Sequence, residues 1–359
     1  MPVWRRLLFP FSILFGIVVR IRNFLFDIGI LKQHQFTMPV IGVGNLTAGG
    51  TGKTPHIEYL IRLLQGHYKL ATVSRGYGRS SKGVIIATEP CDASRIGDEP
   101  MQYYNKFNDI TVVVGERRSK AIKLLLQKGK MLDAILLDDN YQHRSVKAGL
   151  QILLISFDSL GQFNMLLPAG NLREPFSSIS RADIIIISKT PSILVPIERK
   201  RLLELIPSKK DQPVLFTYYK YGEFHRLYGK NNDMMMGADY YRANRFTVLL
   251  ICGIADPGGL IEYMKRNTNK LETIIYPDHH TFEKKDIDHI KSVFEAITNP
   301  NKIIVTTEKD AMRFRQPDIE ALTRQLPVFY IPIEVAFHQD ATTFDNSIVE
   351  YVKENKRSN

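Results

Sequence analysis

The sequence contains only two cysteines in 359 residues, Cys91 and Cys252, and neither has a second cysteine nearby. This excludes the disulfide framework of a small secreted protein and any Cys-x-x-Cys zinc site, so we expect a reducing compartment. The chain also lacks a long uncharged segment near its apolar N-terminus. The longest such run, residues 7–19, covers 13 residues, whereas a membrane-spanning helix needs about 20.

The composition is that of a globular protein. A length of 359 residues predicts about two domains, and 44% apolar with 24% charged residues excludes wholesale disorder. The 48 Lys and Arg residues exceed the 37 Asp and Glu residues, giving a net charge of +11. Such a charge favours anionic partners, namely phosphorylated substrates, anionic lipids or nucleic acids. The basic residues are dispersed and form no recognised nucleic-acid module, so we expect no nucleic-acid partner.

Residues 1–32 are the most apolar part of the chain, and arginines interrupt them at positions 20 and 22. This pattern predicts an amphipathic helix at a membrane surface, with arginines at the lipid phosphates and Phe and Leu side chains below them. A buried core helix is an alternative. A secretory signal peptide is a weaker one, because no small-x-small cleavage site follows and a nucleotide motif begins soon afterwards.

A phosphate-binding loop follows the first predicted strand. Residues 38–46 form a short apolar run, and apolar residues recur at helical spacing from position 57 to 64. The order of strand, glycine-rich loop, Gly-Lys-Thr and helix is that of a P-loop, although Thr47 replaces its usual first glycine. In such a loop the lysine reaches the β and γ phosphates and the threonine coordinates magnesium. The predicted nucleotide-binding residues are Thr47, Ala48, Gly49, Gly50, Thr51, Gly52, Lys53 and Thr54.

A second acidic site is expected at the end of another apolar strand, since P-loop enzymes hold their magnesium ion from both sides. Residues 131–139 supply it with Asp138 and Asp139, although paired carboxylates in this position could simply cap a turn. A GTPase would carry Asn-Lys-x-Asp after a later strand. The corresponding residues here are Ser188, Lys189, Thr190 and Pro191, so the sequence favours ATP over GTP.

Three further polar clusters follow apolar runs or stand near turns. Arg117 and Arg118 could clamp phosphates, although exposed loop arginines are common. Asp98 stands before a predicted helix, where it could cap the helix or act as a general base. The third cluster contains Asp278, His279 and His280, in which an aspartate could orient an imidazole, although a Pro-Asp turn with solvated histidines is ordinary.

The motifs taken together resemble the tetraacyldisaccharide 4′-kinase family of lipid A biosynthesis. The resemblance runs from about residue 40 to residue 315 and rests on the segments GNLTAGGTGKTP, SRGYGR, GDEP, VGERR, LLDDNYQHR, LLPAGNLREP, PDHHTF and TTEKDA. It implies an enzyme that uses ATP and Mg²⁺ to phosphorylate the 4′-hydroxyl of an acylated glucosamine disaccharide 1-phosphate at the cytoplasmic face of the bacterial inner membrane. An N-terminal anchor would bring the catalytic body to this lipid.

The resemblance also implies roles for individual residues. It assigns the phosphates to Lys53, Arg117, Arg118 and Arg173, and the metal and γ-phosphate environment to Thr54, Asp138, Asp139 and Gln142. It makes Asp98 the base, paired across a domain cleft with His279, which Asp278 orients. Asp256 departs from the expected basic or amide residue, which leaves the role of its loop open.

Alternating strand and helix patterns predict a doubly wound parallel sheet, to which the resemblance adds a smaller Rossmann-like lobe. We expect a membrane-associated helix in residues 1–32, a P-loop kinase domain in 33–213, a β-type linker in 214–244 and a smaller α/β lobe in 245–359. A membrane-associated P-loop ATPase that acts as a nucleotide-driven switch is the alternative function.

Overall fold

The computed structural model describes residues 3–129, 131–161, 165–229 and 235–356. Part of the predicted linker, residues 230–234, and the tail 357–359 therefore lie outside the described residues. The strands are β1 (Val40–Asn45), β2 (Leu70–Ser74), β3 (Ile85–Ile86), β4 (Ile110–Val114), β5 (Ala134–Asp138), β6 (Leu150–Ser156), β7 (Ile184–Ser188), β8 (Val214–Tyr221), β9 (His225–Arg226), β10 (Thr247–Cys252), β11 (Lys270–Ile275), β12 (Lys302–Thr307), β13 (Val328–Ile331) and β14 (Ile333–Phe337).

The helices alternate with these strands along most of the chain. They are α1 (Phe9–Asp27), α2 (Lys53–Leu64), α3 (Ala93–Ile96), α4 (Asp98–Lys106), α5 (Arg118–Gln127), α6 (Pro196–Glu204), α7 (Ala238–Ala243), α8 (Gly258–Asn267), α9 (Lys284–Ala296), α10 (Glu308–Phe314), α11 (Pro317–Thr323) and α12 (Ala341–Asn355). Short 3-10 helices cover Val3–Leu8, Phe157–Ser159 and Phe176–Arg181.

The first lobe is built on a nine-stranded sheet in the order β14-β8-β7-β6-β1-β5-β2-β4-β3. Its central strands are parallel, while β3 and β14 are antiparallel to their neighbours. All six residues of β1 are buried, because helices cover both faces of the sheet and leave no polar face to alternate with an apolar one. The order reverses around β1, since β2 lies on one side of it and β6 on the other. Open α/β sheets bind their ligands at such a switch point.

The second lobe is built on a five-stranded sheet in the order β11-β10-β12-β13-β9. Strands β10 to β13 run parallel, and the short β9 is an antiparallel edge strand. Buried apolar residues from this sheet and its helices form two clusters of their own. The prediction of a doubly wound sheet with a second, Rossmann-like lobe is therefore confirmed.

The last strand and helix lie on the first lobe, not on the second lobe to which residues 245–359 were assigned from sequence. Strand β14 pairs with β8, and α12 packs Phe344, Ile348 and Val352 into the core of the first sheet. The predicted linker is likewise divided, because β8 extends the first sheet and β9 pairs with β13 in the second. The chain crosses between lobes near Gly222 and returns at Pro332, where the backbone N–H of Gly222 donates to the Pro332 carbonyl at 2.9 Å.

Helix α1 lies against the first lobe by one side only. Its buried residues are Ser12, Gly16 and Val19, and the Ser12 hydroxyl accepts a hydrogen bond from the backbone of Ala169 at 2.9 Å. The large apolar side chains exposed on the remaining surface are Phe9, Phe11, Ile13, Leu14, Ile17, Val18, Ile21 and Phe24. At 19 residues α1 is long and apolar enough to cross a membrane, which the shorter uncharged run did not indicate. Core helices and signal sequences also meet that criterion.

Candidate active site

The glycine-rich loop lies between the end of β1 and the start of α2. The side-chain amide of Asn45, the last residue of β1, donates to the carbonyl oxygens of Thr47 at 2.9 Å and Gly49 at 3.3 Å. The backbone N–H of Ala48 donates to the Asn171 carbonyl at 2.7 Å. The loop is therefore held both by the side chain of Asn45 and by the backbone of Asn171, which follows β6 in the chain.

Gly52 is fixed by side chains from α2 and β8. Its φ is +84°, a left-handed conformation that favours glycine, and a Cβ at this position would collide with the hydroxyl of Tyr219. His56 contacts the Gly52 carbonyl with Nδ1 at 2.7 Å and the Thr217 hydroxyl with Nε2 at 3.1 Å. Burial lowers the pKa of His56 to about 4, so the ring is neutral and donates from Nδ1. Strand β8 thus supports the loop directly.

Lys53, Asp139 and Arg173 form a charged group beside the loop. The Lys53 ammonium lies 3.4 Å from an Asp139 oxygen and 3.4 Å from the side-chain oxygen of Asn45. Arg173 donates to both Asp139 oxygens, at 3.0 and 3.2 Å. Burial would raise the pKa of Asp139, but the two cations outweigh it and lower this pKa to about 2. Asp139 is therefore ionised and holds two cations that could contact phosphate.

Asp138 ends β5 in a buried environment. The hydroxyl of Tyr103 donates to its Oδ2 at 2.9 Å, and among the described residues the buried Oδ1 has no hydrogen-bond partner. Burial raises the pKa of Asp138 to about 7, and the nearby Glu99 carboxylate contributes in the same direction. Thr54, in the first turn of α2, interacts with the same Tyr103 hydroxyl. The structure thus brings Thr54 and Asp138 to one place, around Tyr103.

Gln142 contacts the backbone of Asn45. Its side-chain N–H donates to the Asn45 carbonyl at 2.8 Å, and its buried Oε1 has no hydrogen-bond partner among the described residues. Two buried oxygen acceptors, on Asp138 and Gln142, therefore lack donors near the loop. The described residues contain no group of three or more His, Cys, Asp or Glu side chains that could hold a metal ion by themselves. Oxygen ligands in small number fit a cation that keeps waters and phosphate oxygens as its other ligands.

The two adjacent arginines after β4 point in different directions. Arg117 precedes α5 and is exposed, whereas Arg118 is 1% exposed. The Arg118 side chain donates to the Gly115 carbonyl at 3.2 Å, and its buried Nε and Nη2 have no partner in the part of the chain described. Burial lowers the pKa of Arg118 to about 10, so it remains charged. Arg118 therefore has buried N–H groups available for an anion.

Asp98 begins α4 and is held by the second lobe. The Nε and Nη2 atoms of Arg313, on α10, donate to its Oδ2 at 2.9 and 2.8 Å. His279 Nδ1 lies 3.6 Å from the same oxygen. Burial acts to raise the pKa of Asp98, but His279, Arg313 and Lys309 together lower it below its ordinary value. Asp98 therefore pairs with side chains of the second lobe across the cleft between lobes.

His279 is surrounded by charged groups. The backbone N–H of His279 donates to Asp278 Oδ1 at 3.0 Å, and the ammonium of Lys309 lies 3.1 Å from His279 Nε2. Nη2 of Arg313 lies 3.3 Å from His279 Nδ1, so a cationic donor faces each ring nitrogen. Lys309 also lies 3.5 Å from Asp278. The structure therefore brings Asp98, Asp278 and His279 together.

A family model described as tetraacyldisaccharide-1-P 4′-kinase matches residues 4–353. The chain belongs to this kinase family. Curated relatives named tetraacyldisaccharide 4′-kinase include one from Flavobacterium johnsoniae, 44% identical over 99% of both chains. Another, from Bacteroides thetaiotaomicron, is 39% identical over 98% of this chain and 94% of its own. A crystal structure described as an apo form of LpxK from Aquifex aeolicus in complex with ATP has a TM-score of 0.74 and 28% identity, covering 98% and 99% of the two chains.

Several site residues of the kinase escaped the sequence analysis. Lys309 and Arg313 lie on α10. Lys309 belongs to the quoted TTEKDA segment, and Arg313 comes four residues after Lys309. Tyr103 lies on α4, five residues after Asp98, and is fully buried. Asn45 is the last strand residue before the loop, a position that could have marked it as the loop's internal support. Nothing in the sequence indicated that His56 would bind the Gly52 carbonyl.

The loop containing Asp256 closes over the glycine-rich loop of the kinase. The Asp256 carboxylate accepts from Lys189 of the first lobe at 2.8 Å, and a Cβ built on Gly50 would lie 3.5 Å from the Cβ of the adjacent Ala255. Burial acts to raise the pKa of Asp256, but Lys189 lowers it overall. The acidic residue that looked unusual in the sequence thus forms an ion pair between the lobes.

Proposed function

We propose that this kinase transfers the γ-phosphoryl group of ATP to the 4′-hydroxyl of a tetraacyl glucosamine disaccharide 1-phosphate, a step of lipid A biosynthesis, with Asp98 as the base. The observation that carries the assignment of the base is the approach of Asp98, from the first lobe, to His279, from the second, at 3.6 Å. A nucleotide-driven switch ATPase would use the P-loop and the acidic pair but gives this contact no role.

The nucleotide is proposed to bind along residues 47–54. Lys53 is then the cation for the β and γ phosphates, and the free N–H groups of Arg118 face phosphate oxygens. Arg173 and Arg117 complete the positive surroundings, with Arg173 held in place by Asp139. Phosphoryl transfer gains most of its acceleration from positioning and charge neutralisation, which this set of cations supplies.

The metal is proposed to be Mg²⁺, held by Thr54, Asp138 and Gln142. The unpartnered oxygens of Asp138 and Gln142 support this choice, because magnesium is bound through few protein oxygens together with waters and phosphates. When bound, the ion neutralises charge on the transferred phosphoryl group. The hydroxyl of Tyr103 orients Asp138 by binding its other oxygen.

The acceptor hydroxyl is proposed to give its proton to Oδ1 of Asp98. Arg313 and His279 engage Oδ2, whereas no described residue hydrogen-bonds to Oδ1. Asp278 holds the turn that carries His279. Because phosphoryl transfer has a loose transition state, the base accepts its proton late, and an ionised carboxylate of low pKa is adequate for this task.

The membrane partner is proposed to be the cytoplasmic face of the inner membrane, with α1 lying in the lipid interface. The exposed apolar side chains of α1 provide the contact, and its buried side joins it to the site. Arg22 of α1 donates to the carbonyl of Gln142 at 2.8 Å, so the anchor lies beside a proposed metal ligand. A lipid held at α1 is thereby delivered to the catalytic cleft.

The domain division is also a proposal. Residues 33–221, together with β14 and α12, form the nucleotide-binding lobe, and the chain crosses to the second lobe near Gly222. The second lobe supplies His279, Lys309 and Arg313 to the acceptor side of the cleft.

The test is transfer of label from γ-labelled ATP, with magnesium, to an acylated glucosamine disaccharide 1-phosphate in detergent. We expect label at the 4′ position, and a decrease in kcat of about 10²- to 10⁴-fold for Asp98→Asn with little change in ATP binding. Asp109→Asn, at an exposed position in the same lobe, is the matched control. A wild-type rate in Asp98→Asn would remove Asp98 as the base. ATP hydrolysis without labelled lipid would favour the switch ATPase.

A further inference from the structure

Three charged side chains meet behind the catalytic cleft, on three different helices. The ammonium of Lys106, at the end of α4, lies 2.8 Å from an oxygen of Glu58 on α2. It lies 2.7 and 2.9 Å from the two oxygens of Glu308, the first residue of α10. Lys106 therefore joins two helices of the first lobe to one helix of the second.

The group is shielded from solvent. The side chain of Glu58 is 1% exposed, that of Glu308 11% and that of Lys106 23%. The amide of Gln102 bridges the same two carboxylates, at 2.7 Å to Glu58 and 3.3 Å to Glu308. Arg62 pairs with Glu58 at 3.1 Å but not with Glu308. Without Lys106, two poorly solvated carboxylates of like charge would face each other across the boundary between the lobes.

The same helices carry the groups assigned to the reaction. Asp98 lies two helical turns before Lys106 on α4, and Lys53 begins α2. Lys309 and Arg313 follow Glu308 on α10, and they contact His279 and Asp98. The ion pair between Lys106 and Glu308 therefore lies at the start of the helix whose cations contact His279 and Asp98.

We propose that Lys106 is a positioning residue for phosphoryl transfer, which acts by holding α10 of the second lobe against α2 and α4 of the first. It touches neither nucleotide nor acceptor, and its effect passes through Arg313 and Lys309. This inference rests on the proposed function, because it assigns Lys106 to the assembly of that site.

The experiment compares Lys106→Met, Glu308→Gln and the double variant in the label-transfer assay. We expect Lys106→Met to lower kcat about tenfold or more, with a smaller change in the KM for ATP, whose loop lies wholly in the first lobe. Glu308→Gln should lower kcat less, because Lys106 still forms its ion pair with Glu58. The double variant should be more active than Lys106→Met, since removing one carboxylate relieves the repulsion. Lys123→Met, at an exposed lysine of α5, is the matched control.

Several outcomes overturn the proposal. They are a wild-type kcat in Lys106→Met, a double variant whose loss equals the product of the single losses, and a Lys106→Met defect confined to the KM for ATP. If Lys106→Met does not fold, Glu308→Gln decides the matter, and its unchanged kcat overturns the proposal. A failure of the proposed function is distinguishable, because wild-type protein itself would then leave the lipid unlabelled.

Discussion

Replacing Arg313 by glutamine should shift the pH dependence of the kinase. Arg313 is 4% exposed at its side chain and donates to Asp98 from two nitrogens. On the proposal that Asp98 is the base, activity requires its ionised form and should be lost as the pH falls through its pKa. In the wild type, burial acts to raise this pKa but the cations and His279 lower it. Without Arg313, burial is less opposed, the pKa rises, and the acid limb of the rate profile moves to higher pH.

The same change should lower stability by about 3 kcal/mol. Arg313 also donates to Asp310 at 2.8 Å, and Asp310 is fully buried. Removing one partner of a buried ion pair costs about 3–5 kcal/mol. The lower end applies because Thr307 and the backbone N–H of Gly253 still donate to Asp310, at 2.7 and 2.9 Å. Since ionised Asp98 contributes stability above its unfolded pKa, part of this contribution is lost in the variant at neutral pH.

The assay for this prediction measures initial rates of label transfer at saturating ATP between about pH 5 and about pH 9, together with urea unfolding at pH 7. Arg324→Gln is the matched control, because Arg324 is 74% exposed and its ion pair with Glu320 should be worth less than about 1 kcal/mol. Identical acid limbs in the wild type and Arg313→Gln would refute the reasoning about Asp98. Equal stabilities of the two arginine variants would refute the estimate for the buried pair.

Three further predictions concern the nucleotide side of the site. Gly52→Ala should weaken ATP binding more than tenfold, because φ is positive and Tyr219 occupies the space of the new Cβ; calorimetric ATP titration would measure it, and undiminished affinity would contradict it. Between pH 7 and pH 5, His56→Gln should lose about 2 kcal/mol less stability than the wild type, because in the wild type the unfolded state protonates a histidine whose folded pKa is about 4. Urea unfolding at both pH values tests this, and equal losses in the two proteins would refute it. Tyr103→Phe should raise the Mg²⁺ concentration needed for half-maximal rate several-fold, because Asp138 loses its orienting hydrogen bond, and an unchanged metal titration would refute that role.

The sequence predicted the parts of the site that are contiguous in the chain. Strand, loop and helix follow one another around the glycines, so the position of residues 47–54 after β1 could be inferred from local pattern alone. The same holds for Asp138 at the end of β5. Which of two adjacent arginines turns inward could not be inferred, because it depends on the exact start of α5.

The contacts across the cleft could not be derived from residue patterns. Arg313 and Asp98 are separated by 215 residues, and neither surrounding segment carries a sign of the other. The association of Asp98 with His279 came only from the family resemblance. The return of β14 and α12 to the first sheet was missed for a related reason, because an amphipathic helix shows the same apolar pattern whichever core it covers.

The two crossings between lobes make the second lobe an insertion within the first. Gly222 and Pro332 are hydrogen-bonded neighbours, so the inserted segment begins and ends at the same point. Truncating the chain after Pro332 would therefore remove an edge strand and core side chains from the nucleotide-binding lobe and leave the second lobe covalently complete. Conversely, residues 223–331 could be excised and their neighbours joined by a short linker, because the two ends already meet. The two lobes can thus be separated by excising the middle of the chain, but not by truncating its C-terminal end.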